Sequence, residues 1–331
     1  SGFIRRKALP WILGAALLGI GGCFAYGRIS PVSGAVRLTS TFIAESPTFS
    51  PDGKKLAYSE SVDNNGNGER DAGEDDYICV LDIKTKKSKR IRKGYSSLVW
   101  GSDNKIYFGH SISEHEYYTA RMNPDGTNLE HLTSTENTIG TLTLSPKGDK
   151  IVGTKVTKEY GALYTNVWLV DTNGKNLKKI GKGVAVSFSY DGTKIAFERR
   201  EDTNKNGVME NKDISQIFEY DLETEKEKQL TFRGSNFQPY YLPNGEIIYH
   251  HDEVIEEKAD FMKTKIHVMN ADGSNTRRLT KKELNGYEQI KAISPDRRYL
   301  IFVTRDGQNY LMETATSELK KLGSRIDYFE V

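Results

Sequence analysis

The sequence contains very little cysteine, and this shortage limits how the fold can be stabilised. Only Cys23 and Cys79 occur among 331 residues, and Cys23 falls in an apolar run near the N-terminus. A disulfide inside the folded domain is therefore not expected. Cys79 lies in the strand-like stretch 77–81 and is interpreted as a small core residue. Packing then has to supply the stability of the domain.

An excess of charge of one sign is also missing. The chain has 47 basic and 45 acidic residues, which gives a formal net charge of +2. Proteins whose main partner is nucleic acid usually carry a basic excess or a basic stripe, so nucleic acid is not expected as a partner. The lysine-rich runs 84–93 and 178–182 are interpreted as solvated outer strands, whose charge discourages pairing between sheets.

Familiar enzyme motifs are absent from the whole sequence. It has no Gly-x-Ser-x-Gly elbow, no His-Glu-x-x-His pair, no Gly-x-Gly-x-x-Gly turn and no phosphate-binding loop. Each of these motifs places particular groups around a reacting atom, and none of those arrangements is available here. A non-enzymatic protein is therefore favoured, and no catalytic residue is assigned.

The first residues differ in character from all that follow. Arg5, Arg6 and Lys7 precede an uncharged apolar run from Ala8 to Ala25. A basic start before an apolar core is typical of a signal peptide or a membrane anchor, and the run has a length between those of the two. We predict a signal peptide or transmembrane helix over 1–26, a linker over 27–35 and a folded domain over 36–331. An uncleaved anchor, a cleaved signal and a lipid on Cys23 all place that domain outside the cytoplasm, in the periplasm or at the cell surface.

A repeated turn organises the remainder of the chain. Its copies are 50–53, 101–104, 145–148, 189–192, 242–245 and 294–297, of which 50–53 reads Ser-Pro-Asp-Gly. A large apolar residue precedes each copy, and a short hydrophobic strand follows it. The first residues of these strands are 50, 45, 44, 52 and 53 positions apart. Two further strands complete each unit, and the fourth often ends in Leu-Thr.

Four short strands per repeat predict a β-propeller. One four-stranded sheet cannot bury both of its faces, so such sheets stack around an axis as blades. We therefore predict an all-β fold of six four-stranded blades, preceded by the N-terminal helix. The stretches 36–39 and 325–331 look like additional strands that would close the ring, and this leaves seven blades as the alternative.

The turns, the large residue before them and the Leu-Thr strand ends resemble those of the TolB-like, or PD40, family of WD40-like propellers. The resemblance covers about residues 36–322. It implies the propeller fold, but one fold supports many functions. Similar propellers also adjoin the catalytic domain of prolyl oligopeptidase-type peptidases, and no such domain follows here.

Two loops have the residue pattern of an EF-hand calcium loop, in which alternate positions supply oxygen ligands and a glycine makes the sharp turn. Both connect the second and third strands of a blade, and no helix pattern flanks either one. Asn at two ligand positions lowers the negative charge, and a polar hairpin without metal is the alternative. The predicted Ca²⁺ ligands are Asp63, Asn65, Asn67, Glu69, Asp71 and Glu74 in the first loop, and Asp202, Asn204, Asn206, Val208, Glu210 and Asp213 in the second.

One face of the propeller is predicted to bind a partner. Connections between second and third strands are expected to be long at 60–76, 109–116, 154–165, 198–214 and 250–264, and they share a face with the links between blades. The favoured function is an extracytoplasmic, calcium-binding scaffold that binds a protein or envelope component there and meets the membrane through its N-terminal segment. The alternatives are a lyase or hydrolase with an axial metal, drawing on His110, His115, His250 and His251, and a purely structural surface-layer module.

Overall fold

Six antiparallel sheets, each made of four consecutive strands, form the fold in a computed structural model of the chain. The structure describes residues 44–62, 76–93, 96–113, 116–159, 162–201, 213–252, 264–280, 284, 287–294 and 296–323. The predicted N-terminal helix, the linker and the extra strands at 36–39 and 325–331 lie outside these ranges. Along the described chain, no helix is long and apolar enough to cross a membrane.

The first three blades are contiguous in sequence. Blade 1 consists of β1 (Ala44–Phe49), β2 (Lys55–Ser61), β3 (Asp76–Asp82) and β4 (Lys87–Lys93). Blade 2 consists of β5 (Ser96–Trp100), β6 (Ile106–Ser113), β7 (Glu116–Met122) and β8 (Glu130–His131). Blade 3 consists of β9 (Gly140–Leu144), β10 (Lys150–Glu159), β11 (Ala162–Asp171) and β12 (Lys178–Lys182), with a short 3-10 helix (Thr135–Asn137) before it.

The last three blades repeat this plan. Blade 4 consists of β13 (Val184–Phe188), β14 (Lys194–Glu201), β15 (Ile214–Asp221) and β16 (Glu227–Gln229). Blade 5 consists of β17 (Ser235–Tyr241), β18 (Ile247–Asp252), β19 (Lys265–Met269) and β20 (Arg277–Arg278). Blade 6 consists of β21 (Glu288–Ile293), β22 (Tyr299–Thr304), β23 (Asn309–Glu313) and β24 (Leu319–Gly323). The prediction of six four-stranded blades is confirmed.

The first strand of each blade lies innermost, because the first strands of blades 1 to 5 contact one another in succession. Since neighbouring strands alternate in direction, turns after the first and third strands share one face, which we call the lower face. Connections after the second strand and links between blades share the other, which we call the upper face. The lysine-rich strands β4 and β12 are outermost, as predicted.

Local hydrogen bonds explain why the turn sequence recurs. In the first copy, the Ser50 hydroxyl donates to Asp52 Oδ1 at 2.7 Å and accepts from the Lys55 amide at 2.9 Å. Asp52 also accepts from the amide of Lys54. Ser189 and Ser294 make the equivalent bonds to Asp191 and Asp296. Serine and aspartate therefore satisfy the backbone of a tight hairpin, and the sequence repeats because the geometry does.

The recurrent Leu-Thr ends have a similar cause. The hydroxyl of Thr133 accepts from the Thr119 amide, and that of Thr231 accepts from the Ile217 amide at 2.9 Å. Each threonine thus satisfies a backbone N–H of the third strand where the fourth strand ends. The preceding leucines, Leu132 and Leu230, are buried. One residue supplies packing and the next supplies a hydrogen bond, so the pair is retained together.

The core lies between the blades. Apolar clusters join blades 1 and 2, 2 and 3, 3 and 4, 4 and 5, and 5 and 6. Hydroxyl groups add links between inner strands, since the amide of Trp100 donates to Thr48 and that of Tyr241 donates to Ser187. Cys79 is a buried free thiol in β3, as predicted.

The prediction of a long connection is wrong for two of the five stretches. Strands β6 and β7 reach Ser113 and Glu116, and β10 and β11 reach Glu159 and Ala162, so the stretches 109–116 and 154–165 are largely paired strand. In blade 3, cross-strand pairing is continuous from Lys150 with Asp171 to Glu159 with Ala162. The sequence of these hairpins lacks the apolar alternation that would predict strands there.

Candidate functional site

The upper face carries most of the exposed apolar side chains of the described chain. Four large hydrophobic residues of the described chain are exposed. The exposed fractions on the upper face are 47% for Tyr117, 59% for Val156 and 72% for Phe232, and Tyr190 on the lower face is 58% exposed. Tyr117 begins β7, Val156 lies in the upper half of β10, and Phe232 lies in the link from blade 4 to blade 5. Only Tyr190, in the turn after β13, lies on the lower face. Large exposed apolar groups concentrated on one face indicate an interaction surface.

Phe232 is held out to solvent by a link that is firmly bonded from beneath. The buried Gln216 donates from Nε2 to the Gly234 carbonyl at 2.9 Å, and Asn236 donates from Nδ2 to the Arg233 carbonyl at 2.8 Å. Gln216 Oε1 in turn accepts from Asn236 and from the Thr231 hydroxyl. These bonds hold the backbone after Phe232, at Arg233 and Gly234, and the side chain of Thr231 before it. The ring is therefore presented in a set position instead of collapsing onto the core.

Two exposed arginines lie in or near the link that carries this ring. Arg233 follows Phe232 directly, and Arg200 lies near the upper end of β14, paired across the ladder with Ser215. The Ser215 amide donates to Ser235 Oγ at 3.0 Å, which ties β15 to the start of β17 beside the link. Neither arginine has a carboxylate within ion-pair distance in the described chain, whereas Arg199 pairs with Glu227. We call Arg200, Phe232 and Arg233 the Phe232 rim.

A half-buried carboxyl group lies beneath the rim. Glu198 accepts a 2.7 Å hydrogen bond from the Ser215 hydroxyl at Oε1 and one of 3.3 Å from the Gln238 amide at Oε2. Burial raises the pKa of Glu198, although these bonds and Arg200 oppose the shift. Gln238 adopts a φ of 52°, which disrupts the β17 ladder and turns its amide toward Glu198. Burial and the nearby carboxyl group of Glu198 raise the pKa of Tyr240 to about 12.

The histidines considered from the sequence do not assemble into one centre. His250 faces blade 6, where its Nε2 accepts from the Ile290 amide at 2.9 Å. His251 faces the other way, with its Nδ1 2.8 Å from Asn236 Oδ1 and its ring 4.5 Å from that of His267. Adjacent residues of a strand point to opposite faces, as expected. In the residues the structure describes, no three His, Cys, Asp or Glu side chains are grouped to hold a metal ion.

Three of these histidines lie in strands, although the sequence pattern placed them at the long connections 109–116 and 250–264. His110 lies in β6, and His250 and His251 lie in β18; His110 and His250 are buried. His110 Nδ1 is 3.0 Å from Nε2 of His131, whose ring stacks on Tyr118 with centroids 4.1 Å apart. Burial, His131 and Arg92 lower the pKa of His110. His115 lies outside the described residues.

The two loops with the calcium pattern fall at equivalent places in their blades. The first separates β2 from β3, whose pairing ends at Ser61 with Asp76, and the second separates β14 from β15, whose pairing ends at Glu201 with Ile214. This confirms that both join second to third strands. Of the predicted ligands, only Asp213 lies within the described residues, where its side chain is buried. The other eleven lie outside them.

Comparison with solved structures relates the fold to known propellers. TolB from Acinetobacter baumannii matches with a TM-score of 0.50 and 19% identity, over 76% of this chain and 60% of that chain. The chain has a TolB-like propeller fold. It spans 60% of the length of that TolB. Neither a protein-family model nor a curated protein sequence matches the chain.

Propellers of two further proteins match the chain with higher TM-scores and lower sequence identities. The β-propeller domain of the trilobed protease from Pyrococcus furiosus, which has an open velcro topology, matches with a TM-score of 0.57 and 15% identity, over 87% of this chain and 82% of that chain. An oligogalacturonate lyase in complex with manganese matches with a TM-score of 0.60 and 12% identity, over 85% and 77%. At these identities the likeness concerns the fold alone, so function has to be argued from the site.

Sequence reasoning located the upper face but missed the Phe232 rim. The Leu230-Thr231 end marked the fourth strand of blade 4, so Phe232 and Arg233 could have been placed in a link on the upper face. Nothing in the sequence showed that Phe232 would be exposed, because an aromatic residue after a strand is commonly buried. Its exposure depends on Gln216 and Asn236, which reach the link from other strands.

Proposed function

We propose that the protein is a binding module that contacts a protein partner through the upper face of its propeller. The observation that carries this proposal is the exposure of Tyr117, Val156 and Phe232 on one face. Aromatic side chains contribute strongly to protein interfaces when a partner covers them, and an aliphatic side chain adds buried apolar area. The preformed link around Phe232 reduces the conformational entropy that binding would cost.

Site-specific photocrosslinking in cells tests the proposal. A photoreactive phenylalanine analogue is introduced at Phe232, at Tyr117 or, as the control, at Tyr190. Phe232 and Tyr190 are both exposed aromatic residues, but they lie on opposite faces. We expect the same partner to be crosslinked from positions 117 and 232 and not from position 190. Absence of a protein adduct from both upper positions, or equal yields from the lower one, would reject the proposal.

We also propose that the two loops at 63–74 and 202–213 bind Ca²⁺ and stabilise the upper ends of blades 1 and 4. The support is their ligand pattern together with their equivalent positions between paired strands. Calorimetric titration of the full chain with Ca²⁺ is the test. Two sites are expected in the natural protein, and one site in each of the variants Asp63→Ala and Asp202→Ala. No heat of binding at millimolar Ca²⁺ would exclude the proposal.

The proposed location is outside the cytoplasm, with the N-terminal segment meeting the membrane. The basic residues before the apolar run at 8–25 support it. Alkaline phosphatase, which is active only in an oxidising compartment, is fused after residue 331. Activity of the fusion is expected, and its loss is expected when residues 8–25 are removed. An inactive fusion with the complete N-terminus would contradict this location.

A further inference from the structure

We infer that the Phe232 rim recognises an acidic peptide segment of the partner, with an apolar residue of that segment covering Phe232. This inference rests on the proposed function and deepens it. Three observations support it: two exposed arginines that have no ion-pair partner among the described residues, an exposed aromatic ring directly before one of them in the chain, and a link whose backbone is held by hydrogen bonds.

The arginines of the rim differ from the other basic residues at the upper ends of blades 4 and 5. Arg199 makes bonds of 2.8 Å and 2.5 Å to the two oxygens of Glu227. Lys265 and Arg278 both lie within ion-pair distance of the buried Glu288. Arg200 and Arg233 are exposed and have no carboxylate within ion-pair distance in the part of the chain that the structure describes. Guanidinium groups bind carboxylates through paired hydrogen bonds, so these two arginines suit an acidic ligand.

The carboxyl group of Glu198, which interacts electrostatically with Arg200, is engaged by hydrogen bonds within the fold. Both oxygens of Glu198 accept hydrogen bonds, from Ser215 and from the Gln238 amide. Burial raises its pKa, so its negative charge is disfavoured relative to a solvated glutamate. Glu198 therefore supports the structure below the rim.

The two faces of the propeller also differ in the charge they present. On the lower face, turn after turn contains an aspartate whose carboxylate accepts from backbone amides, as the turn geometry demands. These residues are Asp52, Asp103, Asp125, Asp191, Asp272 and Asp296. Such turns are unfavourable places for an acidic segment to bind, whereas the two arginines of the rim are favourable ones.

The chemistry of the rim favours a peptide over a small anion. Phe232 is 72% exposed, and its ring offers apolar area that a bare carboxylate would not use. Tyr117 in blade 2 and Val156 in blade 3 are further exposed apolar residues of the upper face. An acidic segment with interspersed leucine or aromatic residues satisfies both the arginines and the ring.

The test measures binding of labelled synthetic peptides to the full chain by fluorescence anisotropy. The probe alternates glutamate with leucine, and its matched control alternates glutamine with leucine. We expect the acidic probe to bind at least about tenfold more tightly than the neutral one, with an affinity that falls as salt is added. Equal affinity for the two peptides would overturn the inference.

Variants locate the binding. Arg200→Gln with Arg233→Gln is expected to weaken binding of the acidic probe by roughly tenfold, and Phe232→Ser by a similar factor. The control, Lys147→Gln with Lys175→Gln, makes the same charge change at exposed positions of the lower face and should leave binding unchanged. An equal loss in the control would show attraction by net charge alone and would overturn the assignment, as would full binding by the double arginine variant.

Two further outcomes separate this inference from the proposed function. Crosslinking from position 232 that captures the same partner in the double arginine variant, with unchanged affinity, would leave the upper-face function intact and refute the acidic contact. Alginate, a carboxylate polysaccharide, serves as a competitor. Arginine-dependent binding of alginate that exceeds binding of the peptide would identify the ligand as a polysaccharide and refute the peptide assignment.

Discussion

The guanidinium group of Arg297 in blade 6 donates a 2.9 Å hydrogen bond to the carbonyl oxygen of Tyr241 in blade 5. The same Nη1 atom donates to the carbonyl of Phe188 in blade 4, 109 residues earlier in the chain. Both carbonyls end inner strands at the lower face. One side chain thus joins the ends of three inner strands near the propeller axis.

Arg297 takes a position at which four other blades have glycine. Its φ is 55°, and the equivalent glycines, Gly53, Gly148, Gly192 and Gly245, also have positive φ. A non-glycine residue in this region costs about 1 kcal/mol or more. Burial further disfavours its charge and lowers the pKa of Arg297. Arginine at this position costs backbone strain and desolvation that glycine would avoid. Because its side chain bonds to Phe188 and Tyr241, we assign it a role in holding blades 4, 5 and 6 together.

Two substitutions at Arg297 separate these effects. Arg297→Ala removes the bonds to Phe188 and Tyr241 and keeps the strained backbone, whereas Arg297→Gly removes the same bonds and relieves the strain. We expect both variants to be less stable, the glycine variant by about 1–2 kcal/mol and the alanine variant by about 1 kcal/mol more. Urea denaturation measures both. A glycine variant as stable as the natural protein would show that the bonds contribute nothing.

A buried carboxylate network connects blades 5 and 6, and we expect the protein to be sensitive to its disruption. Glu288 is fully buried and accepts from Arg278 at 2.7 Å, from the Thr280 hydroxyl at 2.8 Å and from the Ile266 amide at 3.1 Å. Glu288→Gln keeps the volume but removes the charge that balances Arg278, and should cost about 2–4 kcal/mol in unfolding free energy.

An exposed pair in the same blade provides the comparison. Glu246 and Arg277 lie 2.6 Å apart, and 52% of the arginine side chain is exposed. Glu246→Gln should cost less than about 0.5 kcal/mol, because solvent already screens the pair. Similar costs for the two variants would contradict the assignment of the Glu288 network as the stabilising one.

The repeat could be predicted from the sequence because its cause is local. Ser50 and Asp52 form hydrogen bonds within their own turn, and Thr231 accepts one from the strand beside it. The residues that determine each unit therefore lie within that unit. The number of blades and the order of strands follow from counting such units. The upper face followed in turn, because antiparallel strands fix which connections share a side.

Properties that depend on contacts between blades could not be predicted. His250 has the sequence context of a hairpin end, yet blade 6 covers it and the Ile290 amide bonds to its ring. The strands of blade 3 beyond Lys155 have no apolar alternation in the sequence, so no local pattern predicts that they pair. The exposure of Phe232 depends on hydrogen bonds from Gln216 and Asn236 to the link, and no local sequence pattern predicts those bonds.

A pair of glycines tests how closely neighbouring blades approach at the lower face. Gly174 and Gly245 have φ values of 80° and 84°, so an added side chain is strained equally at both. A Cβ atom at Gly174 would lie 2.3 Å from the Leu132 carbonyl of blade 2, whereas nothing lies within 4 Å at Gly245. Gly245→Ala should cost about 1 kcal/mol, and Gly174→Ala roughly 2–4 kcal/mol. Thermal unfolding compares them, and equal costs would show that blade 2 moves away freely.

His267 is expected to make stability depend on pH. Its ring lies between Tyr249, at 5.9 Å, and His251, at 4.5 Å. Burial, with contributions from His251 and Arg278, lowers the pKa of His267 to about 4. The folded protein therefore keeps this imidazole neutral in a range where the unfolded chain protonates it. Its contribution to stability is complete above about pH 6.5 and is lost as the pH falls toward 4.

Comparison with His267→Phe isolates this effect, because phenylalanine keeps an aromatic ring and cannot be protonated. Burial raises the pKa values of Asp252 and Glu198, so these carboxyl groups act in the opposite direction and influence both proteins alike. The stability of the natural protein should fall, relative to that of the variant, by up to about 3 kcal/mol between pH 7 and pH 4. NMR titration of the His267 ring, identified by the resonance missing from the variant, gives its pKa directly. A value near 6.5, with parallel stability curves for the two proteins, would show that the ring between His251 and Tyr249 is solvated instead of buried.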